Sequence, residues 1–442
     1  MQILSINTRD ITGGAAQIAW QLHQGYRQRR CQSWLAVSEK QSDDPYTVVI
    51  PHLGKISQSM LGAASKIERR HPSPLASALK FLAEPCKHWE LRQGHENFHY
   101  AGSRDIERLV PIAPEIIHAH NLHGDYFDLH QLPQLSQRAP LVLTLHDAWL
   151  LSGHCAHSLS CDRWQIGCGH CPDLRLYPAI RRDATAFNWQ RKAQIYERSK
   201  LYITTPCQWL MNKVEHSMLA PAVVDARVIA NGVDLNIFKP APKAKVRDRL
   251  GLPQDALILL FSAEATRRNP WKDYAMLHDA VGKLSAVVQT RQVFDQSPIC
   301  FVVLGDDGPT EQIGNVEVRH VGYQSDRTTV ANYYQGADLY LHAAKADTFP
   351  TSILEALACG VPVVATAVGG IPEQVEEGVT GFIVPQGDSA AMAERILKLI
   401  DLEPLRHAMS QNAHQTAKRA FSVQRMVDQY LSWYAHILHH CH

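Results

Sequence analysis

Along the chain, short runs of apolar and β-branched residues alternate with longer stretches whose apolar positions recur every three or four residues. In the first half the short runs are "QILSIN" (2–7), "IIHAHN" (116–121), "LVLTLHD" (141–147) and "LYITTP" (201–206). In the second half they are "LILLFSA" (257–263), "CFVVLG" (300–305), "VEVRHVG" (316–322), "DLYLHA" (338–343), "VPVVATA" (361–367) and "GFIVP" (381–385). They are continuously apolar more than alternating, which suits parallel strands buried on both faces. Strand–helix alternation of that kind predicts an α/β fold with doubly wound sheets.

The pattern occurs twice. The joint falls in "PAVVDARVIANGVDLNIFKPAPKAKVRDRLG" (221–251), where a Pro/Lys-rich stretch lies beside the turn signal Asn231-Gly232. The expected domains are therefore 1–225 and 226–415. Two such sheets leave a cleft at their carboxyl ends, where open α/β sheets bind ligands. In the tail, 416–442, one stripe of "FSVQRMVDQYLSWYAHIL" carries Val423, Met426, Val427, Tyr430, Leu431 and Tyr434. That stripe predicts a helix that caps its own domain or crosses back to the first, and the crossing is favoured.

Composition narrows the class. A chain of 442 residues exceeds the size at which one core keeps growing, so two domains are the default. Hydrophobic residues make up 45% and charged residues 20%, as in a soluble globular protein. A net charge of +1 argues against a general nucleic-acid binder. "MQILSINTRD" lacks the parts of a signal peptide, and no apolar run reaches the length of a membrane span. The expected location is the cytoplasm, with any membrane contact peripheral, on the inner face of the plasma membrane. Ten cysteines in such a setting are expected to be mostly reduced.

Residues 55–104 fit the alternation badly and predict a helical insertion. They hold eight basic residues against four acidic ones, with Ile56, Met60, Leu61, Leu75, Leu79, Phe81 and Leu82 interleaved. A solvated helical insertion is the leading reading, and a basic amphipathic surface for an anionic membrane is the alternative.

The densest chemistry lies in "ADTFPTSILEALACGVPVVATAVGGIPE" (346–373), where Asp347 and Glu355 stand eight positions apart around Pro350. Pro350 favours a first helical turn, Thr351 and Ser352 can serve free amides there, and Gly360 is placed to stop the helix. A helix N-terminus offers unpaired N–H groups to an anion or a sugar oxygen, and two carboxylates can accept from vicinal hydroxyls. The bland alternative is two solvated acids at a helix start. In "FSAEATRRNPWKDY" (261–274), Arg267 and Lys272 form a cationic pair suited to phosphate. In "TRDITGGAAQIAW" (8–20), Gly13 and Gly14 precede a helix and would let backbone approach a diphosphate.

In this order, the elements resemble the retaining glycosyltransferases of family GT4, which have the GT-B fold of two facing Rossmann-like domains. The resemblance runs from the Gly-rich turn to the C-terminal helix. It rests most on Asp347-x7-Glu355 followed by "LEALACGVPVVATAVGGIPE" and "GVTGFIVPQGD", and on "VIANGVDLNIFKP" (228–240). Within the family the chain is similar to enzymes of bacterial exopolysaccharide, colanic-acid and O-antigen assembly.

The resemblance implies roles for individual residues. Glu355 would bind the nucleotide's ribose and Asp347 a donor-sugar hydroxyl. Backbone at Phe349, Pro350, Thr351 and Ser352 would reach sugar and phosphate oxygens, with the segment around Gly322 at the base. Arg267 and Lys272 would neutralise the leaving diphosphate, Gly13 and Gly14 would close on it, and His146 would sit by the donor sugar. It further implies a UDP-, GDP- or ADP-sugar donor, a glycan or lipid-linked glycan acceptor, and no metal needed for catalysis. The first acid is Asp where the family more usually has Glu, an arm shorter by one methylene.

Finally, "SGHCAHSLSCDRWQIGCGHCP" (152–172) gathers Cys155, Cys161, Cys168 and Cys171. A structural zinc ranks first, loop-packed thiols second and disulfides third, because the closing C-x2-C is half of a zinc site but the other spacings match no zinc template. The alternatives to a transferase are a sugar-nucleotide epimerase of the same fold and a zinc-stabilised, non-catalytic binding protein. Arg163 is the one Arg or Lys in that loop, beside Asp162, which speaks against a grip on nucleic acid.

Overall fold

The structure is a computed structural model that describes residues 1–51, 55–68, 73–264, 269–290 and 298–440, with backbone alone at 55, 56 and 58. Its chain divides into two units, Met1–Ile229 with Val427–His442, and Ala230–Met426.

The first unit runs β1 (Gln2–Arg9), α1 (Gly14–Gln28), β2 (Gln32–Glu39), β3 (Thr47–Val49), α2 (Lys55–Glu68), α3 (Pro74–Ala83), α4 (Pro85–Gln93), β4 (Ile116–Ala119), α5 (Leu132–Arg138), β5 (Leu141–Thr144), α6 (Thr185–Tyr196), β6 (Leu201–Thr205), α7 (Gln208–Glu215) and β7 (Val223–Val228). Its sheet has the order β3-β2-β1-β4-β5-β6-β7, and every pairing is parallel. The chain works outward from β1 to β3, then returns to the other side at β4. The switch point between β1 and β4 is where such a sheet opens a crevice at its carboxyl edge.

The second unit holds α8 (Lys243–Leu250), β8 (Leu257–Ser262), α9 (Tyr274–Thr290), β9 (Ile299–Leu304), β10 (Glu311–Ile313), β11 (Val316–Val321), α10 (Arg327–Gly336), β12 (Leu339–His342), α11 (Thr351–Ala358), β13 (Val363–Thr366), β14 (Gly381–Val384), α12 (Ser389–Asp401), α13 (Glu403–Ala420) and the start of α14 (Val423–His440). Its order is β10-β11-β9-β8-β12-β13-β14, parallel except for the β10–β11 hairpin. The switch point lies between β8 and β12. Strands such as β9, buried at every position, pack Phe301 and Val303 against Leu277, Val281 and Leu284 of α9.

Every apolar run read as a strand is one. The sequence reading missed β2, β3, β7 and β10. Strand β7 lies at a sheet edge and exposes most of its side chains, so it carries no apolar run. On α14, Met426, Val427, Tyr430 and Tyr434 are buried as the stripe predicts, and Trp433 and Ile437 join them. In the first unit the Tyr434 hydroxyl lies 2.7 Å from His118 Nδ1 and 3.0 Å from the Tyr26 hydroxyl. Gly25 of α1 lets this happen, since a Cβ there would stand 2.3 Å from Val427.

The segment 55–104 does contain the three helices α2, α3 and α4. Leu75, Phe81, Leu82 and Trp89 remain exposed there. Among the described residues, no helix is long and apolar enough to cross a membrane.

Candidate functional site

The second unit gathers charge at its switch point. The loop after β8 is stitched to the segment after β12: Asp273 N–H donates to the Ala343 carbonyl at 3.1 Å, and Lys345 N–H to that of Trp271 at 2.8 Å. This brings Lys272 Nζ to 2.6 Å from Asp347 Oδ2 and 3.3 Å from His342 Nε2. Burial alone would raise the Asp347 carboxyl, but the Lys272 charge and the His342 contact hold it well below the usual carboxylate range. Burial, then the Lys272 charge, lowers His342 to about 4, so it stays neutral. The result is a fixed ammonium–carboxylate pair at 13% and 21% side-chain exposure. Arg267, the other expected cation, lies outside the described residues.

The carboxylate segment is clamped from behind. Gly369 adopts φ +58°, and a Cβ there would lie 1.8 Å from the Asp347 carbonyl oxygen, so only glycine permits the approach. Gly370 N–H donates to the Thr348 carbonyl at 2.9 Å, and Gln374 Nε2 to that of Pro350 at 3.0 Å.

Helix α11 then starts with Pro350 as its N-cap, whose side chain makes no capping bond, and its first-turn amides have no intrahelical partner. The helix ends as predicted at Gly360, φ +73°, whose N–H reaches the Leu357 carbonyl while Val361 N–H reaches that of Ala356, both at 2.9 Å.

Glu355 lies one turn into this helix and is half-buried. Burial raises its carboxyl to about 7, against the pull of Arg327 and of the Tyr334 hydroxyl. Tyr340 ties the group together. Burial raises its hydroxyl, the Ser352 hydroxyl lowers it, and the charges of Glu355 and Asp347 raise it further. Phe349 is 6% exposed and packs edge-on against Phe421, so its side chain belongs to the core and only its backbone can face a ligand. Gly322 follows β11, with the Asp307 carboxylate 2.3 Å from where a Cβ would stand.

In the first unit, Gly13 (φ +101°) caps α1 and Gly14 opens it; a Cβ on either would meet nothing within 4 Å. The turn is held by the Asp10 carboxylate, fully buried, which accepts from Ile11, Gln41 and Ser42 N–H groups. His146 follows β5, its Nε2 3.0 Å from His120 Nδ1. Burial lowers His146 to about 4 despite the charge of Asp147. Asp147 in turn binds His123 Nε2 at 2.8 Å and accepts from Trp149 N–H at 2.9 Å.

The cysteine loop is also in this unit. Cys155, Cys161, Cys168 and Cys171 are free. His154 Nε2 lies 3.3 Å from Cys171 Sγ, and Gly153 N–H points at Cys168 Sγ, also at 3.3 Å. Burial raises the Cys168 thiol to about 12 and pushes up Cys155 and Cys171 as well, so these are thiols rather than thiolates. Among the described residues, no three His, Cys, Asp or Glu side chains are gathered to hold a metal ion.

The sequence reading missed His342, Gly369, Gln374, Asp10 and Asp147 as parts of these sites. His342 ends an apolar run and reads there as strand. Gly369 sits in "AVGGIPE", a Gly-Gly signal that was available.

Comparison with known proteins gives these two edges a class. Residues 12–237 match the family model Glycosyltransferase Family 4, and residues 242–416 match Glycosyl transferases group 1. The chain belongs to glycosyltransferase family 4, and it is a glycosyltransferase of that type. It is similar to WcaC of Escherichia coli (strain K12), a glycosyl transferase named for colanic acid biosynthesis, at 24% identity over 99% of this chain and 100% of WcaC. It is similar to the D-inositol 3-phosphate glycosyltransferase of Thermobispora bispora at 32% identity, over 72% of this chain and 79% of that one. Among solved structures, Anabaena HepE in complex with UDP superposes with a TM-score of 0.62 at 18% identity, over 98% of this chain and all of HepE. These likenesses agree with two Rossmann-like, parallel-sheet domains of the GT-B kind.

Proposed function

We propose that the protein transfers a sugar from a nucleoside-diphosphate donor to a growing polysaccharide or lipid-linked oligosaccharide, with retention at the anomeric carbon. The observation that carries this reading is the Lys272–Asp347 pair, 2.6 Å apart at the carboxyl edge between β8 and β12. A diphosphate leaving group needs positive charge as its bond to the sugar breaks, and Lys272 supplies it in place. Asp347, ionised, accepts from a donor-sugar hydroxyl. Glu355 accepts from two ribose hydroxyls, and the uncapped amides of α11 face sugar or phosphate oxygens. Arg267 adds a second cation on the sequence reading. With these charges no divalent ion is required for the departure. The same reading gives the Gly13–Gly14 turn a phosphate to face and His146 a sugar hydroxyl.

The UDP held by HepE favours a uridine donor, and the likeness to WcaC favours an exopolysaccharide acceptor. Exposed Leu75, Phe81, Leu82 and Trp89 on α3 and α4 would let the protein lie against an anionic inner membrane face. Co-sedimentation with phosphatidylglycerol vesicles, weakened in Leu82→Glu, checks that part.

The central test is titration calorimetry against UDP-, GDP-, ADP- and dTDP-sugars in EDTA, with Asp347→Ala and Glu355→Ala alongside. Binding of one nucleotide sugar by the wild type, weakened in both variants, is the expected result. Equal binding by the variants, or none by the wild type, would overturn the assignment. Donor consumed without any acceptor product would point instead to an epimerase.

A further inference from the structure

The first unit contains a cavity of about 390 Å³ that the donor chemistry does not use. It lies where β4 and β5 end, beside the switch point of the sheet. Its walls come from four separate stretches, among them Asn97 and Tyr100, His123 and Asp125, Trp149, and Tyr177.

Three features describe what it would accept. The first is ring surface. Trp149 and Tyr177 both pack edge-on to His123, with centroids 5.4 and 5.7 Å away. The second is unused hydrogen-bonding capacity. Asn97 is 9% exposed and Tyr100 3%, yet neither the Asn97 amide nitrogen nor the Tyr100 hydroxyl makes a well-formed hydrogen bond. Asn97 and Asp125 stand near enough to that hydroxyl to perturb it, without satisfying it. Burying such groups unpaired is costly, so a ligand that supplies partners recovers that cost.

The third is the sign of the charge. Asp125 and Glu96 line the cavity, and Asp147 lies behind His123. Lys192, fully buried under the Trp149 ring at 3.9 Å, is consumed by Glu96 at 3.0 Å and by the carbonyls of Trp149 and Ser152. Lys87 is paired with Asp125 at 3.0 Å, and Arg191 lies over the Phe98 ring at 4.2 Å and donates to the Glu96 carbonyl. A phosphate would meet carboxylates here and find these cations engaged.

We propose that this cavity is the subsite for a neutral pyranose unit of the acceptor glycan. It seats the apolar face of the sugar on the aromatic side chains and its hydroxyls on Asn97, Tyr100, His123 and Asp125. Lys192 is a positioning residue that fixes Trp149 and Glu96 from beneath. The volume is in the range of a small-molecule site and holds a single ring with its substituents. The proposal rests on the transferase reading for the word acceptor. The prediction of a neutral sugar in this cavity stands apart from it.

Saturation-transfer NMR with the methyl glycosides of D-glucose, D-galactose and L-fucose tests it, on wild type and on Tyr177→Ala and Asn97→Ala. Tyr177 is 50% exposed, so its truncation leaves the fold intact. At least one glycoside should bind the wild type and bind each variant about tenfold more weakly, the effect of losing one good contact. UDP-glucose titration of the same samples separates the two claims. If glycoside binding falls in the variants while UDP-glucose binds none of the proteins, the cavity assignment stands and the donor reading fails. If UDP-glucose binds but no glycoside does, or the variants bind glycosides as well as wild type, the cavity assignment is overturned. Displacement of the glycoside by inorganic phosphate would also overturn it.

Discussion

At the carboxyl edge of the first sheet, the buried histidines that gather are neutral, with the Asp147 carboxylate held beside them by His123. Burial, then the neighbouring His146, lowers His118 to about 3, burial takes His120 down as well, and His146 falls to about 4. Around them lie aromatic rings and a cavity. At the corresponding edge of the second sheet, the groups are an ammonium and a carboxylate pressed together at 2.6 Å. The strand order around the two switch points is the same, so the scaffold does not make this difference. The loops leaving the strands make it: "HNLHG" after β4 and "HDAW" after β5, against "AAKADTF" after β12. One framework thus offers ring surface and unpaired hydrogen bonds in one unit, and fixed charge in the other.

Removing the key cation from each unit should expose the contrast. In the first unit, Lys192→Met leaves Glu96 buried without its partner and should cost about 3–5 kcal/mol of stability. Denaturant unfolding would show it; a change below about 1 kcal/mol would mean that solvent already reaches the pair. In the second unit, Lys272→Ala should leave the fold intact and lower the transfer rate roughly a hundredfold or more, the usual loss for one preorganised donor. A rate close to that of wild type would break the proposed charge role.

A smaller effect is expected from Gly369→Ala. Its Cβ would press on the Asp347 carbonyl, and the positive φ adds strain, together about 1–3 kcal/mol. Nucleotide-sugar affinity should weaken with stability, because the displaced segment carries Asp347. Unchanged affinity in a destabilised protein would uncouple the clamp from the site.

The smallest effect concerns pH. Glu355 is raised from the ordinary 4.5 to about 7, so the folded protein binds a proton that the unfolded chain has released. Its contribution to stability is therefore present below pH 4.5 and is lost as pH rises through 7. On the proposed function donor binding runs the other way, since the ionised carboxylate would accept the ribose hydroxyls. Affinity should rise as pH climbs through about 7, with release of a proton, and Glu355→Gln should flatten both trends. Calorimetry in buffers of different ionisation enthalpy reads the proton directly, and a variant with the wild-type slope would remove Glu355 from the site.

The two regions also differ in how much the sequence discloses. The second site lies mostly in one continuous stretch, so Asp347, Glu355 and Gly360 are legible from spacing and helix punctuation, and Lys272 from its neighbours. The cavity of the first unit is assembled from stretches around 97, 123, 149 and 177, which no local window joins. Lys192 sits in "NWQRKAQIY", where it reads as a solvated helical lysine. Its burial depends on Glu96 and two carbonyls brought in by other elements. The doubly wound strands were legible because burial on both faces writes a continuous apolar run. Edge strand β7 was not, because its side chains face water. Histidines that close the strands look like core residues, and several are.

The Tyr26–Tyr434–His118 hydrogen bonds set an order of events during synthesis. Tyr26 and Tyr434 are 408 positions apart, so the seat for α14 in the first unit stays bare until the end of the chain emerges. Translation of Ala230–Met426, at about 5–20 residues per second, occupies on the order of ten to forty seconds. Throughout that interval the nascent first unit exposes His118, Thr144 and the groove at Gly25 without their partners. The second unit, continuous in sequence, has all its residues on hand first. A ribosome stalled before Val427 would therefore carry a first unit that lacks its last helix, a natural client for chaperones.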